Sequence, residues 1–257
     1  MENKLTIDGL FAKAWIELDL NLIECAVTTM DNMISMKPKL NRVQQELFEN
    51  IHKKRLGQYR DVLHMEDNEL VTNERDLELV EYVKEDAFLK LKECVDYSIK
   101  KLDEDLIPAI DDSEEGEDPK ENIKSKIFYN RIKADYYRYL AEFTPPETNQ
   151  TPFEESRKAY VAAIELAQQN LEPTDPILLG IVLNYSLFIA NFMNDEKAAV
   201  ELANKTLKQY YTANENRAEV SEHDAVEETE LINSIEKNVQ MWSKPEDEEE
   251  NDPEEDK

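Results

Sequence analysis

Glycine is nearly absent from this chain. Gly9, Gly57, Gly116 and Gly180 are the only four in 257 residues, where an average composition would supply about 7%. They are separated by 48, 59 and 64 residues, so neither G-x-G-x-x-G nor a Walker A loop can occur. Dinucleotide-binding α/β folds, propellers and barrels built on tight glycine turns are thereby disfavoured. Hydrophobic residues make up 40% of the chain, enough to fill a core, and Leu, Glu, Lys and Ala are abundant. The expectation is an all-α fold.

The formal charge of −28 argues against a nucleic-acid backbone or an anionic membrane as partner. It suits basic partners, or solubility alone. The opening residues MENKLTIDGLFAKAW carry charges where a secretory leader needs an apolar stretch. The longest apolar run, Ile177–Met193, is broken by Asn184, Ser186 and Asn191, and falls short of the ~20 residues that span a bilayer. Cys25 and Cys94 form no CxxC and read as reduced thiols. A cytoplasmic location is expected. His52, His64 and His223 have no metal-ligand spacing, and the carboxylates are too numerous to mark an acid–base pair. No enzyme, metal or cofactor is expected.

Two acidic segments divide the chain. Residues 109–122 hold seven acids against Lys120, and the run from Pro245 holds nine against Lys257. Both read as solvated: a loop insertion at 109–122 and a disordered tail at 244–257, behind a helical domain at 1–243. Apolar residues recur at helical spacing elsewhere, for instance Ile127, Phe128, Ile132, Tyr136 and Leu140. The pattern predicts helices near 9–34, 40–65 and 69–107 (stopped by Pro108), then 127 to Pro145-Pro146, and 153–171. Further helices run from a Thr174 cap to Phe192, from an Asp195 cap to Leu207, and from Asp224 to Trp242, about eight or nine in all. The pairs after residue 127 repeat at roughly thirty residues, with Ala162, Ala163, Ala198 and Ala199 at crossings, as in tetratricopeptide-like hairpins.

Cations stand out in so acidic a chain. Arg131, Asp135 and Arg138 sit at i, i+4 and i+7 and share a helix face, where Asp135 can hold both guanidiniums and Tyr139 adds a hydroxyl. Lys53 and Arg60 are likewise seven apart. Each spacing is that of an exposed salt-bridged face. Taken together, four cations from two helices could instead form a site for a doubly charged phosphate, whose oxygens match guanidinium forks.

SKIFYNRIKADYYRYLAEF (Ser125–Phe143) and LEPTDPILLGIVLNYSLFIANFMNDEKAAVELA (Leu171–Ala203) resemble the 14-3-3 family, as does LINSIEKNVQMWS near the C-terminus. DYYRYLAE and PTDPILLG followed by LN-x-S fall in the family's order and separation. The resemblance implies a nine-helix antiparallel bundle whose concave groove binds phosphoserine or phosphothreonine segments of client proteins. By position, Lys53, Arg60, Arg138 and Tyr139 match the family's phosphate-binding quartet. Arg131 replaces a neighbouring lysine, and Asp135 keeps its acid. Asn184 and Asn238 match the asparagines that grip the peptide backbone, and Leu183, Leu187, Leu231 and Trp242 match the groove wall.

The departures are equally specific. Asn191 stands where the family has glutamate, and Glu230 and Ser234 replace apolar wall residues. Leu22 and Cys25 occupy a stretch where a basic residue and an acidic partner belong in the family's dimer segment, so dimerisation is expected in weakened form. The function implied is a non-catalytic adaptor of phosphorylated clients. The alternatives are a tetratricopeptide-like scaffold for unphosphorylated peptides and a 14-3-3 with a blocked groove. The tail is either a solubilising appendage or a weak competitor for the basic site.

Overall fold

The computed structural model describes residues 5–65, 74–111, 118–144, 150–215, 217 and 222–243, and among them the regular structure is entirely helical. In chain order the helices are α1 (Ile7–Asp19), α2 (Ile23–Met36), α3 (Arg42–His64), α4 (Glu74–Lys101), a short α5 (Ile107–Asp111), α6 (Pro119–Ala141), α7 (Gln150–Asn170), α8 (Pro176–Met193), α9 (Glu196–Asn214) and α10 (Glu222–Trp242). All but α5 have thirteen residues or more, so the described chain contains nine long helices. The tail at 244–257 lies outside the described residues.

Local chemistry explains three departures from the expected boundaries. The helix read over 9–34 is two helices, because Asn21 turns left-handed at φ 60°. The Asn21 N–H reaches the Leu18 carbonyl and the Leu22 N–H reaches that of Glu17, which satisfies the last carbonyls of α1. Asn194, at φ 51°, performs the same reversal after α8. In a chain so poor in glycine, asparagine takes the left-handed positions, because its short polar side chain tolerates them. Pro108 does not stop the helix either. A π-helical turn over Leu102–Leu106 widens the backbone ahead of it, with the Ile107 N–H reaching the Leu102 carbonyl. The chain therefore stays helical to Asp111, and Leu102, Leu106 and Ile110 remain buried.

The third departure is at the acidic segment expected as a loop over 109–122: its two ends are helical, and residues 112–117 lie outside the described residues. Asp111 closes α5 and Pro119 opens α6 behind Asp118, whose carboxylate accepts from the Lys120 N–H at 2.9 Å. Asp175, rather than Thr174, caps α8, accepting from the Ile177 N–H at 2.9 Å with Pro176 in the first turn. Asp195 caps α9 through the Ala198 N–H.

The helices form two compact units, one ending at Ala159 and the other beginning at Tyr160, within α7. In the first, Leu47, Phe48, Ile51 and Leu56 of α3 pack with Leu91 and Val95 of α4 and Ile132 and Tyr136 of α6. In the second, α8, α9 and α10 pack on one another. By length and composition α8 could cross a membrane, but eight of its eighteen side chains are buried inside the protein.

One buried group in the first unit ties stability to pH. His52 is fully enclosed, bonded through Nδ1 to the Ser98 hydroxyl at 2.8 Å and packed against Phe48. Among the described residues its Nε2 has no hydrogen-bond partner. Burial, reinforced by the positive charges of Arg55 and Lys101, pushes its pKa down to about 3. The folded state thus keeps His52 neutral while the unfolded chain protonates near 6.5. The stability this confers is fully present above that pH and is lost as pH falls towards 3. Wild type should lose about 2 kcal/mol relative to His52→Gln between pH 6.5 and 5, read from urea midpoints. Parallel curves for the two proteins would show that His52 does not titrate in this way.

Candidate functional site

Two helices of the first unit present facing polar stripes. On α3 the stripe runs Glu49, Lys53, Gly57, Arg60, His64, and on α6 it runs Arg131, Asp135, Arg138, Tyr139 and continues to Glu142 just past the helix end. Tyr139 joins them. The residue is 7% exposed, with the Arg60 guanidinium 4.1 Å from the ring centroid and that of Arg138 4.6 Å from it. Two like charges on one ring are held there by cation–π attraction and by carboxylates, which offset their repulsion.

Each carboxylate has a distinct task. Asp135 is buried and lies between Arg131 Nη1 at 3.3 Å and Arg138 Nη2 at 3.6 Å. Arg131 reaches back to Glu49 Oε2 at 2.6 Å and so ties α6 to α3. Glu142 Oε2 accepts from Arg60 Nε and Nη2 at 3.1 and 2.9 Å, and Glu142 Oε1 lies 3.2 Å from His64 Nε2. The Tyr139 hydroxyl is raised above its usual pKa by burial and by Asp135, against the opposing pull of Arg138 and Arg60. It is therefore a protonated donor at neutral pH. Lys53 is exposed and has no ion-pair partner among the described residues. Between Lys53 and Arg60 a Cβ on Gly57 would meet nothing within 4 Å, so the face between those cations is open.

The four cations and the tyrosine thus come from two packed helices, and Arg60, Arg138 and Tyr139 are in direct contact. Glu49, Glu142 and His64 did not figure among the expected site residues. The signal for them was the same helical spacing: Glu49 is four residues before Lys53, His64 four after Arg60, and Glu142 four after Arg138.

In the second unit Leu183, Asn184, Leu187 and Asn191 recur along one face of α8, all half-buried except the exposed Asn191. On α10, Leu231, Ser234 and Asn238 recur likewise, with Leu231 and Asn238 half-buried. Glu230 and Ser234 are exposed, and the Ser234 hydroxyl is spent on the Glu230 carbonyl at 2.8 Å. Trp242 is buried with Ile189, Ala190 and Ala199, so it anchors the end of α10 in the core of its unit.

Among the described residues, then, an all-helical fold gathers two guanidiniums on one tyrosine. The family model described as "14-3-3 protein" matches residues 15–243. The chain is 29% identical to 14-3-3 protein 3 of Entamoeba histolytica over 76% of its length and 77% of the relative's. It is 30% identical to the 14-3-3 family protein artA of Aspergillus flavus, over 77% of this chain and 79% of that one. It is also 34% identical to the checkpoint signal transducer rad25 of Schizosaccharomyces pombe, over 55% of this chain and 48% of the relative. This chain belongs to the 14-3-3 family, and its role is that of an adaptor.

Proposed function

We propose that the protein binds phosphoserine- or phosphothreonine-containing segments of client proteins and regulates them by clamping rather than by catalysis. The observation that carries this reading is the pair of arginines, Arg60 and Arg138, stacked on one buried tyrosine. Stacking presents flat guanidinium forks, the geometry that phosphate oxygens accept bidentately. Lys53 adds a mobile positive charge, Asp135 and Arg131 position Arg138, and the open face over Gly57 leaves room for the ligand. Asn184 and Asn238 then hold the peptide backbone, and Leu183, Leu187, Leu231 and Trp242 supply apolar wall, as the family resemblance implies. Glu230 favours a basic residue beside the phosphosite, since the wall there lacks an apolar surface to cover. A cytoplasmic setting, where kinases act on clients, fits the free thiols of Cys25 and Cys94. An array of client-like peptides, each printed with and without phosphate, tests the reading. Signal confined to the phosphorylated spots supports it, and equal signal on both rejects it.

The protein also pairs with a second copy, or with a related chain, through its N-terminal helices. Large apolar side chains stand in water on α1 (Ile16, with Leu20 beyond its end) and on α4 (Leu79, Tyr82, Val83). Tyr82 is 69% exposed. Such rows mark association surfaces. Leu22 and Cys25 are exposed too, with no charge pair to fix the partner, so the dimer rests on apolar burial. Light scattering should give twice the 30.0 kDa chain mass for wild type, falling to the single-chain mass in Tyr82→Glu. A wild type that scatters as one chain across micromolar concentrations rules the dimer out.

A further inference from the structure

We infer that Glu142 is a built-in substitute for the ligand's phosphate, occupying Arg60 in the free protein. The inference rests on the reading that this cluster receives phosphate. Both inner N–H groups of Arg60 converge on one oxygen of Glu142, at 3.1 and 2.9 Å, while the other oxygen faces His64 at 3.2 Å. Glu142 is the C-terminal cap of α6, its own backbone N–H directed to the Arg138 and Leu140 carbonyls. A carboxylate at a helix C-terminus faces the negative end of the helix dipole. Its place there is therefore secured by the two side chains it bridges on α3.

A phosphate dianion carries more charge and more acceptor oxygens than a carboxylate, so it displaces Glu142 from the guanidinium fork. The stacking of Arg60 on Tyr139 keeps the fork in place during the exchange. Glu142 thereby sets a threshold: anions weaker than phosphate fail to release Arg60.

The Phe143 ring meets the His64 imidazole edge-on, with ring centroids 4.8 Å apart, which holds the imidazole beside Glu142.

The test measures the affinity of one fluorescent phosphoserine peptide for the full chain at one fixed pH and moderate salt, for wild type and Glu142→Gln. Glu142→Gln is expected to bind several-fold more tightly, with helicity unchanged. Unimproved binding by Glu142→Gln overturns the inference while leaving the phosphate reading intact. The unphosphorylated peptide is measured beside it, and equal binding of the two by wild type overturns the phosphate reading and this inference together.

Discussion

Alanine at Arg138 should weaken phosphopeptide binding by about tenfold or more while leaving the fold intact. A charge-assisted hydrogen bond from a partly buried guanidinium contributes on the order of 1.5–3 kcal/mol, and each 1.4 kcal/mol is about a factor of ten. The fold should survive because the partner left behind is not stranded: Asp135 keeps Arg131 at 3.3 Å. Arg60→Ala should have a similar effect. It also frees Glu142, which then repels the ligand from the edge of the site. Arg138→Lys should fall between wild type and alanine, since it keeps the charge and loses the planar fork. Calorimetric titration with one phosphopeptide, alongside circular dichroism of each variant, checks all three. Wild-type affinity in Arg138→Ala would remove this residue from the site.

The largest expected loss of stability comes from Arg217→Ala in the second unit. Glu228 is 2% exposed, yet both its oxygens lie within 2.9 Å of Arg217 Nη1. Removing one partner of a buried pair leaves an uncompensated charge, which costs about 3–5 kcal/mol. Glu228 sits on α10, so the loss should appear as early unfolding of the helix that carries Leu231, Asn238 and Trp242. The double variant Arg217→Met with Glu228→Leu should recover most of the loss, because it removes the stranded carboxylate as well. Chemical denaturation of the three proteins measures this, and a loss below about 1 kcal/mol in Arg217→Ala contradicts the pairing's role.

The helices were legible because their signals are local and redundant. Proline and Asp caps, with apolar residues every three or four positions, locate α7, α8 and α10 to within a few residues, whereas α6 begins at Pro119 rather than near Ile127 and α9 continues past Leu207 to Asn214. Failures arose where the signal depended on something else. The break at Asn21 has no glycine or proline to announce it, because asparagine adopts the left-handed turn. Pro108 looked like a stop, yet the π turn at Leu102–Leu106 keeps three leucine and isoleucine side chains on the buried side. In the site, the spacing of Arg131, Asp135 and Arg138 placed them on one face, but spacing within a helix cannot show what faces it. That Arg60 and Arg138 share the Tyr139 ring, and that Glu142 reaches across to α3, depends on how α3 packs on α6. His64 and Glu142 lay on the right stripes, but nothing within either helix sets them apart from the 58 acidic residues and three histidines of the chain. Trp242 shows the converse: a position matched to a groove wall is also a core anchor, which only burial reveals.

In the proposed function, the Arg60–Tyr139–Arg138 cluster recognises phosphate itself. The most direct measurement is a calorimetric titration of the full chain with one client peptide in phosphorylated and unphosphorylated form, at fixed moderate salt. Two guanidinium contacts of the size given above predict that the phosphorylated peptide binds on the order of a hundredfold more tightly, and that the preference collapses in the Arg60→Ala, Arg138→Ala double variant. Equal affinities for the two peptides in the wild type would contradict the account.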